Sequence, residues 1–111
     1  MSADESRDSL RDHVEEIDKL VHEPARLLLM THLYVVDEAD FVYLVHHSGL
    51  TAGNASSHLK KLLAAGYVEV EKSFVANRPQ TSYRLSPAGR EAFSRYRETI
   101  SQIVDQLPDR P

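Results

Sequence analysis

Residues 51–85 read TAGNASSHLKKLLAAGYVEVEKSFVANRPQTSYRL, and the change of period inside this stretch sets the architecture. Ala55, Leu59 and Leu62 recur at steps of four and three, which places them on one inward helix face. Thr51 fits the N-cap, its hydroxyl free to accept from an N–H near Asn54. Leu63 widens the apolar arc, and Gly66 ends the helix. From Tyr67 to Lys72 the period falls to two, the mark of a half-buried strand, with Val68 and Val70 on one face. Asn77-Arg78-Pro79-Gln80 reads as a turn, since a proline argues against a continuous strand there. Thr81-Ser82-Tyr83-Arg84-Leu85 then returns as a second strand. The expectation is a helix over 51–64 followed by a two-stranded ribbon over 67–85.

Working outward, Phe41, Leu44 and Val45 give the apolar face of a short helix that stops at Ser48-Gly49, with Leu50 plugging the turn. Asp37-Glu38-Ala39-Asp40 is a polar break that offers caps. Pro24 suits the first turn of a helix, and residues 25–33 are apolar enough to pack centrally. Residues 34–36 either extend that helix or form an extra short strand. Leu10, His13, Val14, Ile17, Leu20 and Val21 predict a helix over 9–21 with an acidic outer face, and residues 1–8 read as loose and flexible. Downstream, Ser86 caps and Pro87 starts a helix over 87–107 with a long apolar stripe, ended by Pro108. The fold class is mainly α with a small β-ribbon, in the order α-α-α-α-β-β-α. At 111 residues this is one domain, spanning 9–107.

The net charge of −4 is unevenly spread. Residues 51–90 carry Lys60, Lys61, Lys72, Arg78, Arg84 and Arg90 against Glu69 and Glu71, whereas the rest of the chain is acidic. A basic segment on an acidic molecule can attract phosphate locally. No apolar run approaches the roughly 20 residues of a membrane span, and no signal peptide is evident, so no membrane is expected and a cytoplasmic location is the default.

A helix that enters the major groove of B-form DNA, about 12 Å wide, must be slim and polar in front. Gly53, Asn54, Ser57 and Lys61, with His58 beside them, make such a front. Asn54 can pair both amide atoms with adenine, and Ser57 can donate or accept. Thr51 and the free N–H groups at the helix start suit a phosphate. Lys60 and Lys61 lie a turn further on, one for the backbone and one for a base edge. In the ribbon, Arg78 is expected to enter a narrow minor groove, with Lys72 and Arg84 on flanking phosphates.

The motifs HEPARLLLM, GLTAGNASSHLKKLLAAGYVEVEK and NRPQTSYRLSPAGREAF make residues from His22 to about Tyr96 resemble the winged helix-turn-helix transcriptional regulators of the broad ArsR-like and MarR-like group, in its compact single-domain subset. The resemblance rests on Leu50-Thr51, on His58-Leu59, on Leu62 through Val68, and on Thr81 through Gly89. It implies a homodimer on double-stranded DNA, commonly a repressor, with dimer contacts outside the reading motif. The apolar stripes of 9–21 and 87–107 are then the candidate dimer helices.

The chain departs from metal-sensing members of that group. It has no cysteine, and its last histidine is His58, so no metal site and no cofactor are expected. His46 and His47 are adjacent, and one helix face cannot easily present both; His13, His22 and His32 can meet only through tertiary packing. An unidentified small apolar effector could sit near Tyr34, Phe41, Tyr43 or Tyr96. No phosphate loop, nucleophile elbow or HExxH motif is present, so no enzyme is expected. The rival reading is a winged-helix protein-interaction module that does not use DNA specifically.

Overall fold

The computed structural model describes residues 3–109, with side chains described from residue 9. Helix α1 spans Ala3–Glu15 and α2 spans Pro24–Val36. A two-residue strand β1, Ala39–Asp40, leads into α3, Phe41–Ser48. Helix α4 covers Ala52–Ala64, the strands β2 and β3 cover Val68–Val75 and Arg78–Leu85, and α5 closes the chain over Pro87–Asp105. The strands form one antiparallel sheet in the order β1-β3-β2.

Local chemistry explains most boundaries. Asp40, Thr51 and Ser86 accept from Tyr43, Asn54 and Gly89 N–H groups as N-caps, and proline occupies the start of α2 and α5. Gly49 takes the left-handed conformation (φ 73°) that ends α3. The core is built from Leu29, Met30 and Leu33 of α2, Leu44 of α3, Leu59 and Leu62 of α4, Val68 and Leu85 of the sheet, and Phe93 and Tyr96 of α5. This is the winged helix-turn-helix expected, with α3 and α4 as its two helices and the β2–β3 hairpin as its wing.

Four expectations shift. The first helix begins at Ala3, earlier than the loose start over 1–8 allowed; Met1 and Ser2 lie outside the described residues. It also stops at Glu15 instead of Val21, because the Asp18 carboxylate accepts from the Leu20 and Val21 N–H groups and turns the chain. Leu20 and Val21 still reach the core from this irregular segment. Residues 34–36 extend α2, and the extra strand lies at Ala39–Asp40, paired with Tyr83 and Ser82. Helix α5 ends at Asp105, two residues before the stripe does.

The wing turn is the fourth difference. Val75 pairs with Arg78, so the hairpin closes through Ala76 and Asn77 alone, and Pro79 sits inside β3 opposite Phe74. Alternation of the ladder explains why this is tolerated. The pair flanking a two-residue turn exchanges hydrogen bonds, so the next pair does not, and the missing N–H of Pro79 points away from β2. On that side β1 reaches only Ser82. Ala76 and Asn77 both have positive φ, 52° and 65°, as a type I′ turn demands. Alanine holds that conformation at a cost of roughly 1 kcal/mol. Ala76→Asn together with Asn77→Gly should therefore raise stability by about 1 kcal/mol and the melting temperature by several degrees, measurable by thermal circular dichroism.

Candidate nucleic-acid interface

Helix α4 buries Ala55, Leu59 and Leu62 and leaves Thr51, Gly53, Asn54, Ser57, Lys60 and Lys61 exposed. Beyond the Thr51 cap, whose hydroxyl accepts from Asn54 N at 3.1 Å, none of the side chains of Asn54, Ser57, Lys60 or Lys61 has a hydrogen-bond or ion-pair partner among the described residues. Their donors and acceptors are free for a ligand. The N–H groups of the first turn open onto the same side.

His58 departs from the expected front. It is half-buried, its Nδ1 3.2 Å from the Arg26 guanidinium and 3.6 Å from the Glu23 carboxylate. Helical arithmetic accounts for this: His58 lies about 60° around the helix from buried Ala55, on the flank facing α2. Arg26 also donates through Nε to the Leu20 carbonyl at 2.6 Å. Together these contacts tie α4 to the start of α2.

Glu23 caps α2, its carboxylate accepting from Arg26 N at 2.9 Å. Burial pushes its pKa up, but the N–H groups of Arg26 and Ala25 and the charges of His58 and Arg26 outweigh burial and hold it below 4.5. A depressed carboxylate stabilises the fold above its unfolded pKa, and that contribution disappears as pH falls through the folded value. Wild type should thus lose stability more steeply below about pH 4.5 than Glu23→Gln, in denaturant melts run across pH.

In the wing, Lys72 and Arg78 are exposed and have no ion-pair partner among the described residues. Arg84 differs from the free phosphate ligand expected. Its Nε donates to Glu69 at 2.9 Å, and its guanidinium lies 3.5 Å from Glu71. Glu69 and Arg84 are direct register partners, so the outer face of the wing neutralises itself there. The structure therefore brings together Thr51, Gly53, Asn54, Ser57, Lys60 and Lys61 on one helix. It puts Lys72 and Arg78 on the hairpin, and engages His58 and Arg84 elsewhere.

The base of the wing is pinned. Tyr67 Oη donates to Asp18 at 2.6 Å, and this bond, with burial, raises the tyrosine pKa above 10. The Tyr67 carbonyl accepts from Ser86 N, and Ser86 Oγ donates to the Gly66 carbonyl. Asp18 and Tyr67 carry no local signal as positioning groups, since their partnership spans 49 residues.

The four aromatic residues considered for an effector do not share one cavity. Tyr34 packs on Phe93, Phe41 on Tyr83, Tyr43 on His47, and Tyr96 on His22. His13, His22 and His32 also stay apart: His13 lies near Ser9, His22 contacts Tyr96 Oη at 2.7 Å, and His32 faces His47. Among the described residues no group of three or more His, Asp or Glu is placed to hold a metal ion. No described helix is long and apolar enough to cross a membrane. An open depression of about 710 Å³ runs along α5 beside Tyr96, Ile100 and Val104.

Comparison with known proteins agrees with the fold. The family model described as a winged helix DNA-binding domain matches residues 25–104. An uncharacterized protein of Methanocaldococcus jannaschii is 35% identical over 89 residues, 80% of this chain and 97% of its own length. A transcriptional regulator homologue from Pyrococcus horikoshii superposes with a TM-score of 0.80 at 28% identity, covering 85% of this chain and 95% of that one. A homodimeric winged helix-turn-helix DNA-binding domain from Mycobacterium bovis has a TM-score of 0.67 at 18% identity, covering 100% and 97%; that likeness is one of fold.

Proposed function

Since the chain belongs to the winged helix DNA-binding domain family, we propose that it is a sequence-specific transcriptional regulator, a homodimeric repressor that reads the major groove with α4 and flanking DNA with its wing. One observation carries this reading. The exposed front of α4 presents Asn54, Ser57, Lys60 and Lys61 without side-chain partners among the described residues, beside a hairpin whose Lys72 and Arg78 have no ion-pair partner among them. Asn54 and Ser57 supply base-edge hydrogen bonds, and the cations supply the phosphate term that dominates affinity.

The dimer is supported by apolar surface that one subunit leaves open. Val14 of α1, Val104 of α5 and Leu107 just beyond it are each more than half exposed, on the two helices that pack together outside the reading motif. A second copy placed on this surface would bury them. The radius of gyration, 17.3 Å, also exceeds the about 13 Å of a compact chain of this length.

The test is selection of bound fragments from a random duplex pool, followed by titration of the best fragment at several salt concentrations. A palindromic site should be enriched and bound far more tightly than scrambled DNA. Lys61→Ala should weaken binding several-fold and reduce the slope of log affinity against log salt by about one. Repression is checked by transcription in vitro from a promoter carrying the selected site. Failure to enrich any sequence, with salt-independent binding, would sink the regulator reading in favour of a protein-interaction module.

A further inference from the structure

The tip of the wing carries an exposed aromatic ring that the fold does not use. Phe74 is 76% exposed and pairs across the ladder with Pro79, beyond the reach of β1. By alternation Lys72, Phe74, Thr81 and Pro79 share one face, while Val75 and Arg78 form the closing pair on the other. Exposing a phenylalanine forgoes roughly 1.5–3 kcal/mol of burial. Yet its immediate neighbours on that face are polar or a single proline, so this is a ridge and not a broad apolar patch. Two cations without an ion-pair partner among the described residues lie near the ring, Lys72 two residues before it on the same face and Arg78 four residues after it on the other.

We propose that Phe74, backed by Pro79, is an apolar wedge that enters the minor groove and partly unstacks a base step when the wing docks. The inference rests on the DNA-regulator reading above and adds a residue to it. Charge complementarity selects the occupant: a polyanion satisfies Lys72 on the ring's own face and Arg78 at the closing pair on the other face, while the ring meets sugars and bases. Continuity supports the same choice, because the ribbon leaves α4 through the short Gly66-Tyr67 hinge, and its base is pinned to the body through Tyr67 and Ser86. Two strands about 4.8 Å apart, closed by a two-residue turn, can present one side chain to a groove about 6 Å wide. Apolar wedges of this kind unstack steps and kink the duplex by about 20–90°. Pyrimidine–purine steps open most easily, so the wedge also adds a preference at a position without base hydrogen bonds.

The experiment compares wild type, Phe74→Ser and Phe74→Trp on the duplex that wild type selects from a random pool. The duplex carries 2-aminopurine at the flanking step and end labels for energy transfer. Wild type should enrich TA or CA/TG steps at the flank, raise the 2-aminopurine fluorescence and bend the duplex. Phe74→Ser should bind about tenfold more weakly, lose the fluorescence rise, the bend and the flanking preference, and keep the wild-type melting temperature. Phe74→Trp should retain all three signals. If Phe74→Ser binds, bends and unstacks as wild type does, the wedge is wrong and the regulator reading stands. If Phe74→Ser leaves DNA binding intact but lowers the sedimenting mass, a second copy is the occupant and the wedge is again wrong. If wild type selects no duplex, both readings fall.

Discussion

Gly89→Ala is expected to lower the melting temperature by about 10 °C or more. A Cβ at this position would sit 1.9 Å from the Tyr67 carbonyl oxygen and 2.8 Å from its carbon. Both obstacles are backbone, so no side chain can swing aside. Either the first turn of α5 or the hinge between α4 and β2 must move. Ser86 bonds to both Gly66 and Tyr67 across that contact, so movement breaks those bonds as well. Overpacking costs about 1–3 kcal/mol, and each lost hydrogen bond adds about 1 kcal/mol. In an open helix the same substitution has the opposite sign, because alanine is the better helix former by about 1 kcal/mol. Gly53 supplies that control: a Cβ there meets nothing within 4 Å, and Gly53→Ala should raise the melting temperature slightly. Thermal melts of the two variants side by side decide the matter. Equal shifts would mean that α5 and the hinge do not approach as closely as described.

The second large effect concerns the proposed pairing of two copies. Val104→Glu combined with Leu107→Glu should leave the monomer folded, since both side chains are more than half exposed within one subunit. Four carboxylates facing one another across a two-fold axis should nevertheless prevent association at micromolar concentration. Affinity for a duplex with two half-sites should then fall by about a hundredfold or more, the avidity that linkage of two reading helices provides. Affinity for a single half-site should not change. Sedimentation gives the mass and titration of the two duplexes gives the ratio. A variant that remains dimeric would place the contact elsewhere on the molecule.

The helices were legible because local signals agreed. Caps at Thr51 and Ser86, prolines at 24 and 87 and glycine at 49 all mark boundaries that occur. The wing was half legible. Alternation identifies both strands, but Pro79 reads locally as a breaker, since nothing local reveals which side of a ladder a missing N–H will face. That choice moved the turn by two residues and hid the register in which Glu69 meets Arg84. Arg84 therefore read as a free cation.

The placement of His58 on the flank of α4 escaped the sequence for a different reason. The neighbours that claim it, Glu23 and Arg26, come from another helix. The same limit applies to Asp18 and Tyr67, joined only by the tertiary fold. Of the apolar stripe over 9–21, Ile17, Leu20 and Val21 pack on the core from beyond the end of α1, whereas Val14 stays exposed.

Residues 16–23, between α1 and α2, have the outline of a loop but not its looseness. The amides of Ile17, Leu20, Val21, His22 and Glu23 are all hydrogen-bonded, Val21 is fully buried, and His22 and Asp18 reach Tyr96 and Tyr67. Opening this segment requires loosening α5, the wing base and the core together. In a deuterium-exchange experiment its amides should consequently fall in the slowest class with those of α2, exchanging only when the whole domain unfolds. The exposed ladder of the wing tip should exchange orders of magnitude sooner. Kinetic rigidity here follows the bonding of the chain, and not its assignment as helix or strand.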